Sequence, residues 1–152
     1  MPIDDADRRL LRQLQADPEA GIADLAARAG LTESTAGRRL ERLRAAGILR
    51  GIEAVIDWRA LGWEVGVSLR ITLDKTDPRA FDEFLGAARR VPEVLEIQTF
   101  LGRVDARLHV IARDLTHYQE VYRARILTLP HIADIEALMH IAEIKSAEAL
   151  PL

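Results

Sequence analysis

Two short amphipathic segments separated by a tight turn constrain this chain more than any other feature of its sequence. Residues 22–29 place apolar side chains on one face of a helix and stop at Gly30, since glycine adopts the left-handed conformation that ends many helices. The second segment begins after Thr32, whose hydroxyl oxygen can cap a helix N-terminus, and it ends at Gly47. This pattern predicts a helix-turn-helix.

The outward face of the second predicted helix is polar and basic. Hydroxyl side chains come first and guanidinium groups follow, an order that suits a helix lying in the major groove of DNA. We predict a DNA-binding set made of the capping threonine, this outward face and one arginine beyond it: Thr32, Ser34, Thr35, Arg38, Arg39, Arg42 and Arg50. The alternative is an ordinary helical hairpin whose arginine face is only solvated.

The flanking residues complete a small domain. Residues 48–56 are β-prone and contain Gly51 where a tight turn would fall, so they predict a hairpin wing beside the second helix. Residues 4–15 predict a further helix, which stops at Asp17-Pro18. Residues 1–60 are therefore predicted to form a winged helix-turn-helix domain.

Charge is distributed unevenly along the chain. The net charge is −3, but residues 28–50 hold six arginines and only two glutamates, a local charge of +4. Attraction to phosphate acts locally, because the Debye length is about 8 Å at physiological ionic strength. The sequence therefore predicts DNA binding through this segment of an acidic protein.

Residues 61–152 follow a different periodicity. Apolar and polar side chains alternate from Val65 to Leu73, which predicts a half-buried strand, and a strand-helix-strand unit then occurs on each side of Gly102. The second strand is predicted to reach Leu101 and the last to reach Ile144. The order βαββαβ predicts a ferredoxin-like domain, with four antiparallel strands and two helices on one face, and an α+β chain overall.

The other face of that sheet is left without helices. Alternation places Phe100, Ile111 and Leu138 on it, between polar side chains. A monomer rarely exposes three such apolar groups together, so a second copy of the chain is predicted to cover this face, forming a homodimer by sheet-to-sheet packing.

Several motifs, in order and spacing, resemble the Lrp/AsnC (feast/famine) transcriptional regulators. They are residues 3–14, Asp24-Leu25-Ala26, Gly30-Leu31-Thr32, residues 39–43, Gly47-Ile48 and Gly102-x-x-Asp105. The resemblance covers nearly the whole chain. It implies a bacterial or archaeal regulator that binds double-stranded DNA, with a C-terminal RAM-type domain that builds dimers, often octamers, and senses amino acids.

The same resemblance implies an effector site at the turn that comprises Gly102, Arg103, Val104 and Asp105. Family members usually carry Gly-Asp-Tyr-Asp here, so this chain has a cation and an aliphatic residue in place of an acid and an aromatic. Asp105 could accept hydrogen bonds from an amino acid's ammonium, while the turn's amides and Arg103 could donate to its carboxylate. Alternatively, the turn is simply a hairpin connection.

Other classes of chemistry have little support in the sequence. The chain contains no cysteine, no catalytic serine motif and no phosphate loop, and its four histidines lack close metal-ligand spacing. We predict that it is not an enzyme and needs no cofactor or metal. Because its start lacks the features of a signal peptide and no stretch is long enough to cross a membrane, we also predict a cytoplasmic location.

The predicted function is a sequence-specific DNA-binding transcriptional regulator that is modulated by an amino acid or related metabolite at a C-terminal domain interface. Two alternatives remain. One is an enzyme similar to sirohaem decarboxylases, which resemble this architecture, with His109, His140, Arg107 and Arg70 around a tetrapyrrole. The other is an architectural DNA-binding protein that responds to no effector.

Overall fold

The computed structural model describes residues 2–146 and 149–152, and in it the chain divides into two units. The first extends to Val55 and includes the described part of Lys145–Leu152, whereas the second is Ile56–Ile144. This division differs from the predicted domains 1–60 and 61–152. The Gln15 amide pairs with both backbone groups of Leu150, which explains why the end of the chain groups with the first unit.

Three helices form the first unit: α1 (Asp5–Ala16), α2 (Ile22–Ala29) and α3 (Glu33–Ala45). The Asp4 carboxylate caps α1 by accepting from the Asp7 amide at 2.8 Å, and Gly30 ends α2 with φ +70°. Thr32 caps α3, where its hydroxyl oxygen accepts from the Thr35 amide at 3.3 Å. The prediction of a helix-turn-helix is confirmed, together with its two boundary signals. The helices share a buried apolar core of Leu10, Leu14, Leu25, Ala26, Ala29, Ala36 and Leu40.

The predicted hairpin wing is wrong for this chain. Residues 48–57 contain no strand, and the side chains of Ile52, Val55 and Ile56 are exposed. A two-stranded hairpin is at most marginally stable unless one of its faces is packed. Here these apolar side chains lie largely in solvent, so the β-propensity of the segment is not enough to form the hairpin.

The second unit contains β1 (Val65–Leu73), α4 (Ala80–Ala88), β2 (Val94–Thr99), β3 (Ala106–Ala112), α5 (Leu115–Val121) with a π-helical turn (Tyr122–Ile126), and β4 (Ile132–Met139). The sheet order is β2-β3-β1-β4, and every pair is antiparallel. Both helices contribute to one core against the same sheet face. The ferredoxin-like prediction is confirmed.

Two strands end earlier than predicted. β4 stops at Met139 rather than Ile144, because it lies at the edge of the described sheet and pairs with β1, which begins at Val65. One further bond, from the His140 amide to the Gly66 carbonyl, follows Met139. β2 stops at Thr99, and Leu101, the predicted end of the strand, lies fully exposed in the following turn.

The apolar set predicted for the uncovered sheet face is also corrected. Leu138 is exposed there, but Ile111 is buried, and Phe100 borders a cavity together with Phe81 of α4. The Trp58 ring lies over the same end of the sheet and approaches to 3.3 Å of the point where a Cβ on Gly66 would stand. A segment of the same unit therefore covers part of the face that was assigned to a second copy.

Candidate nucleic-acid interface and effector site

The start of α3 presents a small polar surface to solvent. Ser34 and Arg38 are exposed, and they lie one helical turn apart. The Thr35 hydroxyl is 2.9 Å from that of Thr32, so part of the predicted hydroxyl set is engaged in capping the start of α3. A helix with exposed hydroxyl and guanidinium groups in its first turns can donate to base edges and phosphates.

The sequence predicted that the side chains of Arg39 and Arg42 face outward, but both of them bind aspartates at the start of α1. Arg39 Nη1 is 2.8 Å from Asp4 Oδ2 and 2.9 Å from Asp7 Oδ1, and Arg42 Nη2 is 2.6 Å from Asp7 Oδ2. The Asp7 side chain is completely buried. A buried carboxylate is costly unless it is paired and hydrogen-bonded, so both guanidinium groups are drawn towards α1.

Ionisation of this cluster follows from its contacts. Hydrogen bonds from the Asp7 amide and from Arg39 lower the pKa of Asp4 to about 2. Hydrogen bonds to Asp4 and Asp7 raise the pKa of the Arg39 guanidinium above its ordinary value. Asp4 and Arg39 are therefore both charged at neutral pH.

These pairs also change the electrostatic argument for DNA binding. Arg28 lies 3.1 Å from Asp17 and Arg44 lies 2.6 Å from Glu41. Counting Asp4, Asp7 and Asp17, the six arginines stand against five carboxylates, which leaves one net positive charge instead of four. Within the described part of the chain, the two arginines of this segment without an ion pair are Arg38 and Arg50.

The predicted effector turn is anchored by its own aspartate. Asp105 is buried, and its carboxylate accepts from the Leu73 amide and from Lys75 Nζ, both at 2.8 Å. Burial alone would raise the pKa of Asp105, but the bonds from Lys75 and Leu73 outweigh it and hold the pKa below its ordinary value. Lys75 was not predicted from the sequence, although it is one of only two lysines in the chain.

The turn divides its four residues between two cavities. Gly102 and Asp105 border a cavity of about 520 Å³ together with Lys75, Phe81 and Phe100. Arg103 and Val104 border a second, of about 460 Å³, whose other lining residues are Arg70, Thr72, Asp134 and Glu136. The second cavity combines guanidinium and carboxylate groups, the partners that a zwitterion requires.

The histidines of the uncovered sheet face form a pair. The rings of His109 and His140 are 5.1 Å apart, and His140 Nε2 is 2.9 Å from the Ser68 hydroxyl. His109 Nε2 is buried and has no hydrogen-bond partner among the described residues, and burial, followed by the nearby His140, lowers the pKa of His109. The structure brings these two predicted residues together, but Arg107 and Arg70 are each paired with a glutamate, Glu96 and Glu136 respectively.

A second group of titratable side chains was missed by the sequence reasoning. Asp77, Glu83 and His131 place one potential ligand atom each within 4.8 Å of one another. His131 Nε2 already lies 2.6 Å from Glu83, and the Asp77 carboxylate accepts from the Arg79 amide at 2.8 Å. The Arg79 guanidinium approaches both acids, at 3.5 and 3.6 Å, so protein groups supply the balancing positive charge.

Comparison with known proteins decides the family. A model described as the Lrp/AsnC ligand binding domain matches residues 67–150, and one described as the AsnC-type helix-turn-helix domain matches residues 3–44. The chain belongs to the Lrp/AsnC family. It is thus a transcriptional regulator with an N-terminal helix-turn-helix, as the resemblance implied.

Individual relatives of this Lrp/AsnC protein match most of its length. The proline dehydrogenase transcriptional activator of Rhodobacter capsulatus is 29% identical over 86% of this chain and 85% of the relative. An HTH-type transcriptional regulator of Mycobacterium tuberculosis is 31% identical over 88% of this chain and 86% of the relative. A transcriptional regulator of Neisseria meningitidis, solved as a complex with L-methionine, is 25% identical with a TM-score of 0.91 over 99% of this chain and 97% of that one.

Within residues 2–146 and 149–152, no helix is both long enough and apolar enough to cross a bilayer.

Proposed function

We propose that this Lrp/AsnC regulator reads double-stranded DNA with the exposed start of α3, in the cytoplasm of a bacterial cell, where its DNA target lies. The observation that carries the proposal is Arg38, an exposed guanidinium without an ion pair among the described residues, one turn after Ser34. Thr32, Thr35 and Arg50 complete the contact surface. Arg39 and Arg42 add to it with the donors that their aspartate partners leave free.

Replacing Arg38 with alanine should weaken binding to a DNA fragment from the protein's own promoter region about tenfold, because one base or phosphate contact is lost. If the contact is to phosphate, the salt dependence of the binding constant should also fall by about one counterion. Fluorescence anisotropy at several salt concentrations measures both. Arg90→Ala, which removes an exposed arginine from the other unit, is the matched control. An unchanged affinity for Arg38→Ala would mean that α3 is not the reading helix.

We further propose that an amino acid or related zwitterion modulates the regulator by binding at the turn Gly102, Arg103, Val104 and Asp105. Two arginines and two acids border the second cavity, which suits a carboxylate beside an ammonium group. The relative solved with L-methionine supports the ligand class. Because Asp105 is already bonded to Lys75 and Glu136 is paired with Arg70, we place the ammonium contact at Asp134. A thermal-shift titration with the twenty common amino acids tests this, and no shift with any of them would contradict it.

We propose that a second copy covers the remaining outer sheet face. Leu138 is exposed there, and beyond the end of β4 Ile141 and Ile144 are almost fully exposed as well. Association between such faces gives a two-fold symmetric homodimer, which would also double the DNA contact. Octamers built from these dimers are a further proposal, which a measurement of the molecular mass in solution tests.

Leu138→Asp should convert the dimer to a monomer, because association would then bury an unpaired carboxylate. Size-exclusion chromatography with light scattering measures the mass directly. The control is Leu115→Asp, since Leu115 is an exposed leucine in the first turn of α5, where a negative charge is tolerated. A dimer that persists in Leu138→Asp would place the interface elsewhere.

A further inference from the structure

The first unit contains a buried carboxylate, Asp7, that links two of its helices. The side chain of Asp7 has no exposed surface, and it lies between α1 and α3 with two guanidinium groups bonded to it. Its Oδ2 also accepts from the Asp4 amide at 3.1 Å, which completes the capping box of α1. Helical spacing already places Asp7 on the apolar face of α1, since Leu10, Leu11 and Leu14 follow at three, four and seven positions. The capping box accounts for one acceptor of Asp7, but it requires no guanidinium from α3, so the bonds to Arg39 and Arg42 need a further explanation.

The geometry of Arg42 indicates what its bond to Asp7 does. Arg42 uses only Nη2 to reach Asp7, and its side chain remains 46% exposed. A guanidinium carries five donors in a rigid plane, so a bond on one side fixes the direction of the donors on the other. Among the described residues, no protein acceptor takes the remaining donors of Arg42.

We propose that Asp7 is a positioning residue for DNA recognition, which holds Arg42 of α3 in the orientation that contacts the DNA. This inference rests on the proposed function, the reading of DNA by α3. A free arginine loses its rotamer freedom when it binds, whereas one already bonded to Asp7 has less freedom to lose. The negative charge of Asp7 also weakens attraction to phosphate in general. Asp7 therefore favours specific binding to the target DNA over non-specific binding to other DNA.

A double-mutant cycle on the full chain tests the proposal. Asp7→Asn, Arg42→Ala and the double variant are measured by anisotropy on the promoter-region fragment and on a scrambled duplex of equal length. Asp7→Asn should lower the ratio of specific to non-specific affinity about tenfold, with the non-specific affinity unchanged or raised. In the Arg42→Ala background the same substitution should lower the ratio clearly less, because Asp7 can then act only through its bond to Arg39. Asp4→Asn is the matched control, because Asp4 bonds Arg39 and not Arg42.

Two outcomes would overturn the inference. One is an equal loss of affinity for both duplexes in Asp7→Asn, and the other is the same fold-change with and without Arg42. Either would mean that Asp7 does not act by orienting Arg42. If Asp7→Asn fails to fold, Arg42→Lys replaces it, since lysine keeps the charge but lacks the planar fork and should still lower the ratio. If Arg38→Ala weakens binding but the Asp7 cycle shows no coupling, this inference fails while the proposed function stands. Unchanged binding in every variant would refute both.

Discussion

Replacing Phe84 with alanine should lower the free energy of unfolding of the C-terminal unit by about 3–5 kcal/mol. Phe84 projects from α4 and is the largest fully buried side chain of the chain's described part. It packs in the core against the inner face of the central strands, where Leu69 and Leu108 are also fully buried. Its removal loses the transfer free energy of the ring and leaves a cavity that neighbouring side chains fill only in part.

Urea denaturation followed by circular dichroism measures this loss. Phe81→Ala is the matched control, because Phe81 lies on the same helix but is only partly buried, so its loss should be clearly smaller. Equal losses for the two variants would show that the core is centred elsewhere. The first unit has a separate core, so the affinity for DNA below the unfolding transition should change little.

Replacing Asp105 with alanine should lower the free energy of unfolding by about 2–3 kcal/mol even without a ligand. The substitution leaves the Leu73 amide buried without its acceptor and removes the partner of Lys75. Asp105→Asn keeps an acceptor for the amide and should lose less. A variant as stable as the wild type would show that the turn does not depend on this carboxylate, and would restore Asp105 as a candidate for direct ligand contact.

The same bonds make the free energy of unfolding depend on pH. Because the pKa of Asp105 is lower in the folded protein than its ordinary value of 3.8, its contribution is fully present above that value. It is lost as the pH falls below 3.8 and through the pKa of the folded state. Asp105→Asn should show a smaller loss of stability over this acidic range.

Sequence patterns predicted most of the fold because local chemistry decides it. Thr32 and Gly30 set helix ends through a side-chain cap and a left-handed residue, which need no distant partner. Alternation in β1 predicted which side chains enter the core. The wing failed because hairpin formation depends on packing against something else, and propensity at Ile52 and Val55 carries no information about that.

The candidate sites were harder to predict than the fold. Helical periodicity cannot tell where a long arginine side chain ends, so Arg39 and Arg42 were assigned to solvent although both reach Asp7. A signal was present in the sequence, namely an aspartate on the apolar face of the first helix, which requires a cationic partner. For the effector turn, the residues follow one another in sequence, but the chain's path sends Arg103 and Asp105 to different cavities.

The strand order determines when the sheet can fold during synthesis on the ribosome. β1 is the first strand to be synthesised, yet it lies between β3 and β4, so Leu69 must wait for Leu108 and then for Ala137 before both of its neighbours exist. At about 5–20 residues per second, several seconds of translation separate β1 from its final partner. The contacts among α1, α2 and α3 are all available much earlier. We therefore expect the helices of the DNA-binding unit to fold on the nascent chain before the sheet can form.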